Sequence, residues 1–256
     1  MLVFVENGLA GCALAMERQA VAVIVDALRA SANITSMFHY GTAELLVVRE
    51  VEQAFRQRDL WPGAILSGER GGLPVPGFDR GNSPLQAPPD LDVRRVVFSS
   101  SNCSRCCVGV AGASWVFLGT TVNASAVARK VLETGCREMV CITAGAFEDE
   151  VRLTIEDHLA AGAIMSALEA SGEPVESGND RARLCRMVYE PMDQPALTRA
   201  FRESDNGRGL ARIGLGDDVR FASLLDVFDD VPRVAEMVPL PDGGTGALVL
   251  AAPEKA

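Results

Sequence analysis

Histidine and aromatic residues are scarce in this chain. Only His39 and His158 occur among 256 residues, and aromatics make up 5%. Neither histidine has the spacing of a zinc finger. With so few rings, the core must be mostly aliphatic and alanine-rich. Apolar residues still make up 48% of the chain, enough for a sizeable core. Basic charge is also short: the formal net charge is −10. Binding a nucleic-acid backbone needs a basic stripe, and none is visible, so nucleic acid is not an expected partner. A small anion is not excluded, because a few local arginines overcome a weak long-range field. No uninterrupted apolar stretch reaches bilayer-spanning length, so no membrane partner is expected. The N-terminus, Met1 to Glu6, lacks the basic and apolar regions of a secretory signal. Seven cysteines, an odd number, then read as reduced thiols in a cytoplasmic protein.

What is present is an alternation. Short valine- and isoleucine-rich runs at 20–25, 44–48, 63–66, 95–98, 114–118 and 139–143 read as buried strands. Helical patterns near 31–40, 50–58, 102–111, 122–135 and 155–170 fall between them. This order predicts a mostly parallel sheet covered by helices on both faces, with ligands bound beyond the carboxyl ends of the strands. The length suits one α/β domain spanning 1–256, with a sub-domain division near 171 left open. Residues 67–92 break the pattern with a glycine- and proline-rich loop of a length more often functional than idle. The polar stretch from 171 to 230 reads as helical, with Gly207 and Gly209 marking a turn. Val234–Leu240 and Ala247–Ala251 flank Pro-Asp-Gly-Gly-Thr-Gly and predict a small C-terminal hairpin.

Several strand ends carry residues suited to chemistry. Asp26 and Arg29 follow the first clear strand, where a metal and a phosphate can meet. A helix N-terminal acid beside a solvated arginine is an equal reading. Gly68-Glu69-Arg70-Gly71-Gly72 follows another strand. Paired glycines permit positive φ, and an arginine fork suits an oxyanion; an ordinary glycine turn explains the same residues. Ser99–Asn102 and Thr120–Asn123 each open a helix. N-capping is the favoured explanation for each, though such openings also present backbone N–H groups to an anion. Thr154–Asp157 has the form of a capping box. Glu148, Asp149 and Glu150 read as a solvated acidic loop.

Other chemistries fail on spacing. Cys103, Cys106 and Cys107 form a C-x2-C-C cluster on a helix, where core packing is favoured over zinc. Asp90-Leu-Asp92 resembles a phosphoaspartate motif but sits among prolines. Cys12 and Arg18 lack a glycine-rich cradle between them.

In order along the chain stand Val25-Asp-Ala-Leu-Arg-Ala-Ser31, Gly68-Glu-Arg-Gly-Gly72, Gly77-Phe-Asp-Arg-Gly-Asn-Ser-Pro84, Ser100-Ser-Asn102, Gly119-Thr-Thr-Val-Asn-Ala-Ser125, Ile155-Glu-Asp157 and Ser204-Asp-Asn-Gly-Arg-Gly-Leu210. Together with Asp226–Pro232, this ordered set resembles the 2-phosphosulfolactate phosphatase family over roughly residues 20–235. The resemblance implies a three-layer α/β fold and magnesium-dependent hydrolysis of 2-phospho-3-sulfolactate, a step toward coenzyme M. It implies Mg2+ as cofactor and a small anionic phosphorylated substrate; a homodimer is left open. On the motif positions, Asp26, Glu69 and Asp157 are assigned to catalysis. The same three and Glu156 are assigned to metal. Arg29, Arg70, Asn82, Ser83, Ser101, Asn102 and Asn123 are assigned to the substrate. Cys103 stands where the family usually has glycine, and is expected to narrow the phosphate site. Two alternatives remain open: a phosphatase for another small phosphorylated hydroxy acid, and a non-catalytic anion-binding protein.

Overall fold

Every residue of Val21–Val25 is buried, which places this strand in the middle of a sheet covered on both sides. A computed structural model describes residues 1–86, 95–145 and 153–253. Val21, Val23 and Val25 point into one hydrophobic cluster and Ala22 and Ile24 into another, as the period of two in a strand requires. The chain thus forms three layers: helix, sheet, helix.

The strands are β1 (Leu2–Asn7), β2 (Val21–Val25), β3 (Glu44–Val47), β4 (Ile65–Arg70), β5 (Leu73–Pro74), β6 (Arg95–Ser99), β7 (Val116–Leu118), β8 (Glu138–Thr143), β9 (Glu176–Ser177), β10 (Pro232–Pro239) and β11 (Thr245–Ala251). Their order across the sheet is β5-β4-β6-β3-β11-β10-β7-β2-β8-β1-β9. One cluster packs α5 (Ala124–Glu133) and α6 (Ile155–Ala170) on the sheet; the other packs α1 (Gly8–Glu17), α2 (Ala30–His39) and α4 (Cys103–Gly109). A third cluster lies by α3 (Val51–Leu60). Then come α7 (Asp180–Tyr189), α8 (Gln194–Glu203), α9 (Asp205–Arg212) and α10 (Gly216–Ala222). Ala182, Leu197, Phe201, Leu210 and Val219 from these helices share the α5–α6 cluster.

The expected strands and helices through α6 are present. The first pair, β1 and α1, is additional to the expected elements; β1 gains its place by parallel pairing with β8. The terminal hairpin is present too, but it is no appendage. Its strands lie between β3 and β7, and all three pairings there are antiparallel. Three antiparallel steps reverse the β4–β6–β3 block relative to the β7–β2–β8–β1 block. Gly207 and Gly209 do not mark a turn. They lie inside α9, and the chain changes direction at Ser204, whose Oγ accepts from Gly207 N at 2.9 Å. A Cβ on Gly207 would stand 1.9 Å from the Phe201 carbonyl oxygen, so close helix packing explains that glycine.

Cys103, Cys106 and Cys107 are fully buried on α4 against the sheet. The Cys103 side chain faces the core, with Sγ 3.9 Å from that of Cys107, and it is not among the residues lining the main cavity. A Cys106→Ala, Cys107→Ala double variant should keep catalysis and lose about 1–3 kcal/mol of stability in urea unfolding. Loss of stoichiometric zinc and activity together would overturn the packing role. Cys12 is likewise buried, and Arg18 pairs with Glu138, so the two form no cradle. Asp90, Asp92, Glu148, Asp149 and Glu150 lie outside the described residues.

Candidate active site

The turns after β2, β4 and β6 meet at a cavity of about 820 Å³. Their strands belong to the two reversed blocks, so this is not the single carboxyl edge that a uniform parallel sheet offers. Part of another wall comes from α9, through Asp205, Asn206 and Leu210.

Asp26 enters the cavity directly after β2. It is buried, and its Oδ1 accepts from Ala30 N at 3.1 Å. Burial pushes its carboxyl up to about 7; the Ala30 N–H opposes this, Glu69 and Glu156 push the same way, and Arg29 opposes. Burial therefore outweighs the nearby Arg29 charge in setting the protonation of Asp26.

Glu69 is the link between two turns. Its Oε2 accepts from Gly72 N and its Oε1 from Ser101 N, each at 2.8 Å. Glu69 and Arg70 are the last residues of β4, which runs on past the predicted strand end. Gly71 and Gly72, at φ of 60° and 83°, then form a two-residue hairpin into β5. The long loop returns to pin β4: Asp79 Oδ2 accepts from Leu66 N at 2.8 Å, and Ser67 Oγ donates to the Gly81 carbonyl at 2.8 Å.

Both predicted arginines line the cavity, held in different ways. Arg29 is buried and paired with Asp218 at 2.7 Å. Arg70 donates to the carbonyls of Glu69 and Arg49 and to Ser99 Oγ, at 2.7–2.8 Å. These acceptors are neutral, and Arg70 forms no ion pair among the described residues. Its charge therefore stays available to an anion.

Asn82, Ser101 and Asn102 also line the cavity. Asn82 is fixed by an Asn33 Nδ2 donor at 3.0 Å. Asn102 stands at the N-cap of α4 without making a side-chain cap. The N–H groups of Ser100 and Ser101 are already donated to Ser104 Oγ and Glu69, so the expected free cradle of backbone donors is absent at these two residues.

Four predicted residues lie behind or beside this cavity. Asn123 forms a reciprocal cap with Thr120 and donates to the Asp230 carbonyl at 3.0 Å. Ser83 donates to Asp218 at 2.6 Å. Asp157 spends both oxygens inside the protein: Oδ1 accepts from Ala27 N at 2.8 Å, Oδ2 from Thr154 Oγ1 at 2.9 Å and Gly145 N at 3.3 Å. Thr154 therefore donates to Asp157 instead of forming the predicted capping box. Burial raises the Asp157 carboxyl well above its ordinary range, with Glu156 and Asp26 adding to the effect. Glu156 lines an adjoining cavity and accepts from Asn206 Nδ2 at 2.6 Å.

Sequence reasoning missed Arg49 and Arg105, which also line the main cavity. Neither lies in a motif of its own: Arg49 follows β3 and Arg105 is surrounded by cysteines. Only folding shows their direction.

A family model described as 2-phosphosulpholactate phosphatase matches residues 12–237. The chain belongs to the 2-phosphosulfolactate phosphatase family. It is 36% identical over 230 residues to a protein of Deinococcus radiodurans named "Probable 2-phosphosulfolactate phosphatase", covering 89% of this chain and 92% of that one. A protein of the same name from Caldanaerobacter subterraneus is 32% identical, with 83% and 86% covered. Another, from Carboxydothermus hydrogenoformans, is 31% identical, with 82% and 84% covered. This makes the chain a member of a family of phosphoric monoester hydrolases. In this 2-phosphosulfolactate phosphatase family member, the GERGG motif serves as strand end, inter-turn bridge and hairpin at once. No described helix is long and apolar enough to cross a membrane.

Proposed function

We propose that this protein hydrolyses the phosphate monoester of 2-phospho-3-sulfolactate to sulfolactate and phosphate, with Mg2+, in the cavity between Asp26 and Arg70. The observation that carries the reading is a buried Asp26 carboxyl and an Arg70 that forms no ion pair among the described residues, both lining one cavity. The relatives' names supply the substrate, and a coenzyme M role goes with that substrate. Water adds to phosphorus, the ester P–O bond breaks, and the proton goes to the departing hydroxy-acid oxygen.

The donor set suits magnesium. It is all oxygen and partly buried, and Mg2+ takes one or two carboxylates and completes its shell with waters and phosphate. Among the described residues no three acid, histidine or cysteine side chains form a ready-made metal cage, so waters and the substrate phosphate would have to supply most of the shell. Asp26 would hold the ion, with Glu69 behind it. When bound, the ion neutralises phosphoryl charge and makes a coordinated water more acidic. Asp157 instead fixes the Ala27 backbone beside Asp26. Arg70 offers the anion its charge and the remaining donors of its planar fork, and Glu69 keeps the two turns that carry Arg70 and Ser101 in register.

The test is a screen of phosphorylated hydroxy acids with and without magnesium, scored by phosphate release. Preference for 2-phospho-3-sulfolactate is expected, and metal-independent turnover or no release from any ester would sink the proposal. Within it, Arg70→Ala should lower kcat/KM by a factor corresponding to ~2–5 kcal/mol, as for loss of a charge-assisted contact in a desolvated site. Arg70→Lys should recover only part, because it keeps charge but loses the fork. An Arg70→Ala enzyme with wild-type kcat/KM would remove Arg70 from the site.

A further inference from the structure

The most buried cation of the cavity is aimed by a residue far away in sequence. Arg29 sits in the turn after β2. Its Nη1 donates to Asp218 Oδ2 at 2.7 Å and its Nη2 to the Gly72 carbonyl at 2.6 Å. Asp218 lies in the first turn of α10, 189 positions along the chain. Its other oxygen accepts from Ser83 Oγ at 2.6 Å. The two side chains of the ion pair are 3% and 4% exposed, so water does not compete for these bonds. Asp218 itself does not line the cavity, whereas Arg29 does.

We propose that Asp218 is a positioning residue for anion recognition: held by Ser83, it clamps one edge of the Arg29 guanidinium so that its remaining donors face the cavity. An arginine has five N–H donors in a rigid planar fork, so fixing two of them fixes the direction of the others. The flexible stem alone would not select that direction. The clamp joins the β2 turn, the long loop and α10, which makes the aim of Arg29 a product of the assembled fold. The inference rests on the proposed anion site, but its test does not require turnover.

A positioning role and a merely electrostatic one differ in sign. Asp218 cancels the charge of Arg29. If that were its whole effect, Asp218→Asn would leave a more positive cavity and bind anions more tightly. If Asp218 aims Arg29, the same change loosens the fork and weakens binding. Asn is nearly isosteric and keeps a partner for Ser83, so the fold should survive, as circular dichroism would show.

The experiment is titration of the full chain with inorganic phosphate by calorimetry, alongside kcat and KM on the best ester found. Asp218→Asn should weaken phosphate binding and lower kcat/KM by about 10–100-fold, the scale of a small misplacement of a binding group. Ser83→Ala should act in the same direction and less. In an Arg29→Lys background, Asp218→Asn should change phosphate affinity little, because no fork is left to aim. Tighter or unchanged phosphate binding in Asp218→Asn overturns the inference. If that variant does not fold, unchanged binding in Ser83→Ala does so. Should wild type bind phosphate with this dependence yet hydrolyse no ester, the positioning role stands and the phosphatase reading falls. Should it bind no phosphate at millimolar concentration, the inference falls too.

Discussion

Asp26→Asn should cut turnover by about 10²–10⁴-fold, the scale of losing a group that orients or activates the attacking water. The same variant should be more heat-stable than wild type in EDTA at pH 8. The two effects have opposite signs because function and folding ask different things of this carboxyl. Folding buries it beside Glu69 and Glu156, which pushes it up to about 7. In the unfolded chain an aspartate titrates near ~3.9. Between these values the folded protein holds a proton that the unfolded chain has released. The contribution of Asp26 to stability is therefore full below about 4 and is lost as pH rises through about 7. Melting temperature in EDTA should fall across that window in wild type, and less steeply in Asp26→Asn. Asp157 shifts in the same direction, so some slope should remain. Added magnesium should raise the wild-type melting temperature at pH 8 and leave Asp26→Asn nearly unmoved. An active Asp26→Asn enzyme, or a variant less stable than wild type in EDTA at pH 8, would contradict this account.

Gly68→Ala should be among the most damaging single-methyl changes in the chain. Gly68 pairs with Ser99 where β4 lies beside β6, at a φ of 150°. A Cβ there would stand 1.9 Å from the Ser99 carbonyl oxygen. That neighbour is backbone, so the two strands must part. Glu69 would then lose its hold on Ser101 N, and Arg70 its place beside Ser99 Oγ. A loss of more than ~4 kcal/mol in urea unfolding, or failure to fold, is expected. Gly71→Ala is the control. Its φ is 60° and no atom lies within 4 Å of its Cβ position. It should cost only about 1–2 kcal/mol for left-handed backbone. Similar losses in both variants would mean that positive φ, and not the close approach, accounts for Gly68.

The amino-acid sequence by itself determined the alternation of strands and helices. A buried strand needs apolar side chains on both faces, and Ala20–Val25, Arg95–Phe98 and Met139–Thr143 show that need locally. It also placed Asp26, Arg29, Glu69 and Arg70 at strand ends within short motifs, while leaving a plain helix start and a glycine turn as open readings of them. The period of a helix and the φ demand of paired glycines are local, so they can be read locally.

Tertiary structure decided the rest. Thr120-Thr-Val-Asn123 and Ser100-Ser-Asn102 look alike as helix openings, yet one closes into a cap and the other faces the cavity. Asp26, after a strand, and Asp157, in the first turn of a helix, both read as acids available to a metal, but Asp157 spends both oxygens on neighbouring donors. Arg29 and Arg70 read the same, but only Arg29 meets a carboxylate, from a helix 189 residues away. A hydrogen bond depends on direction and distance between atoms that the chain brings together late. The hairpin β10–β11 shows this on the largest scale: its turn is written in its own residues, whereas its place between β3 and β7 is set by the unpaired strand edges that receive it.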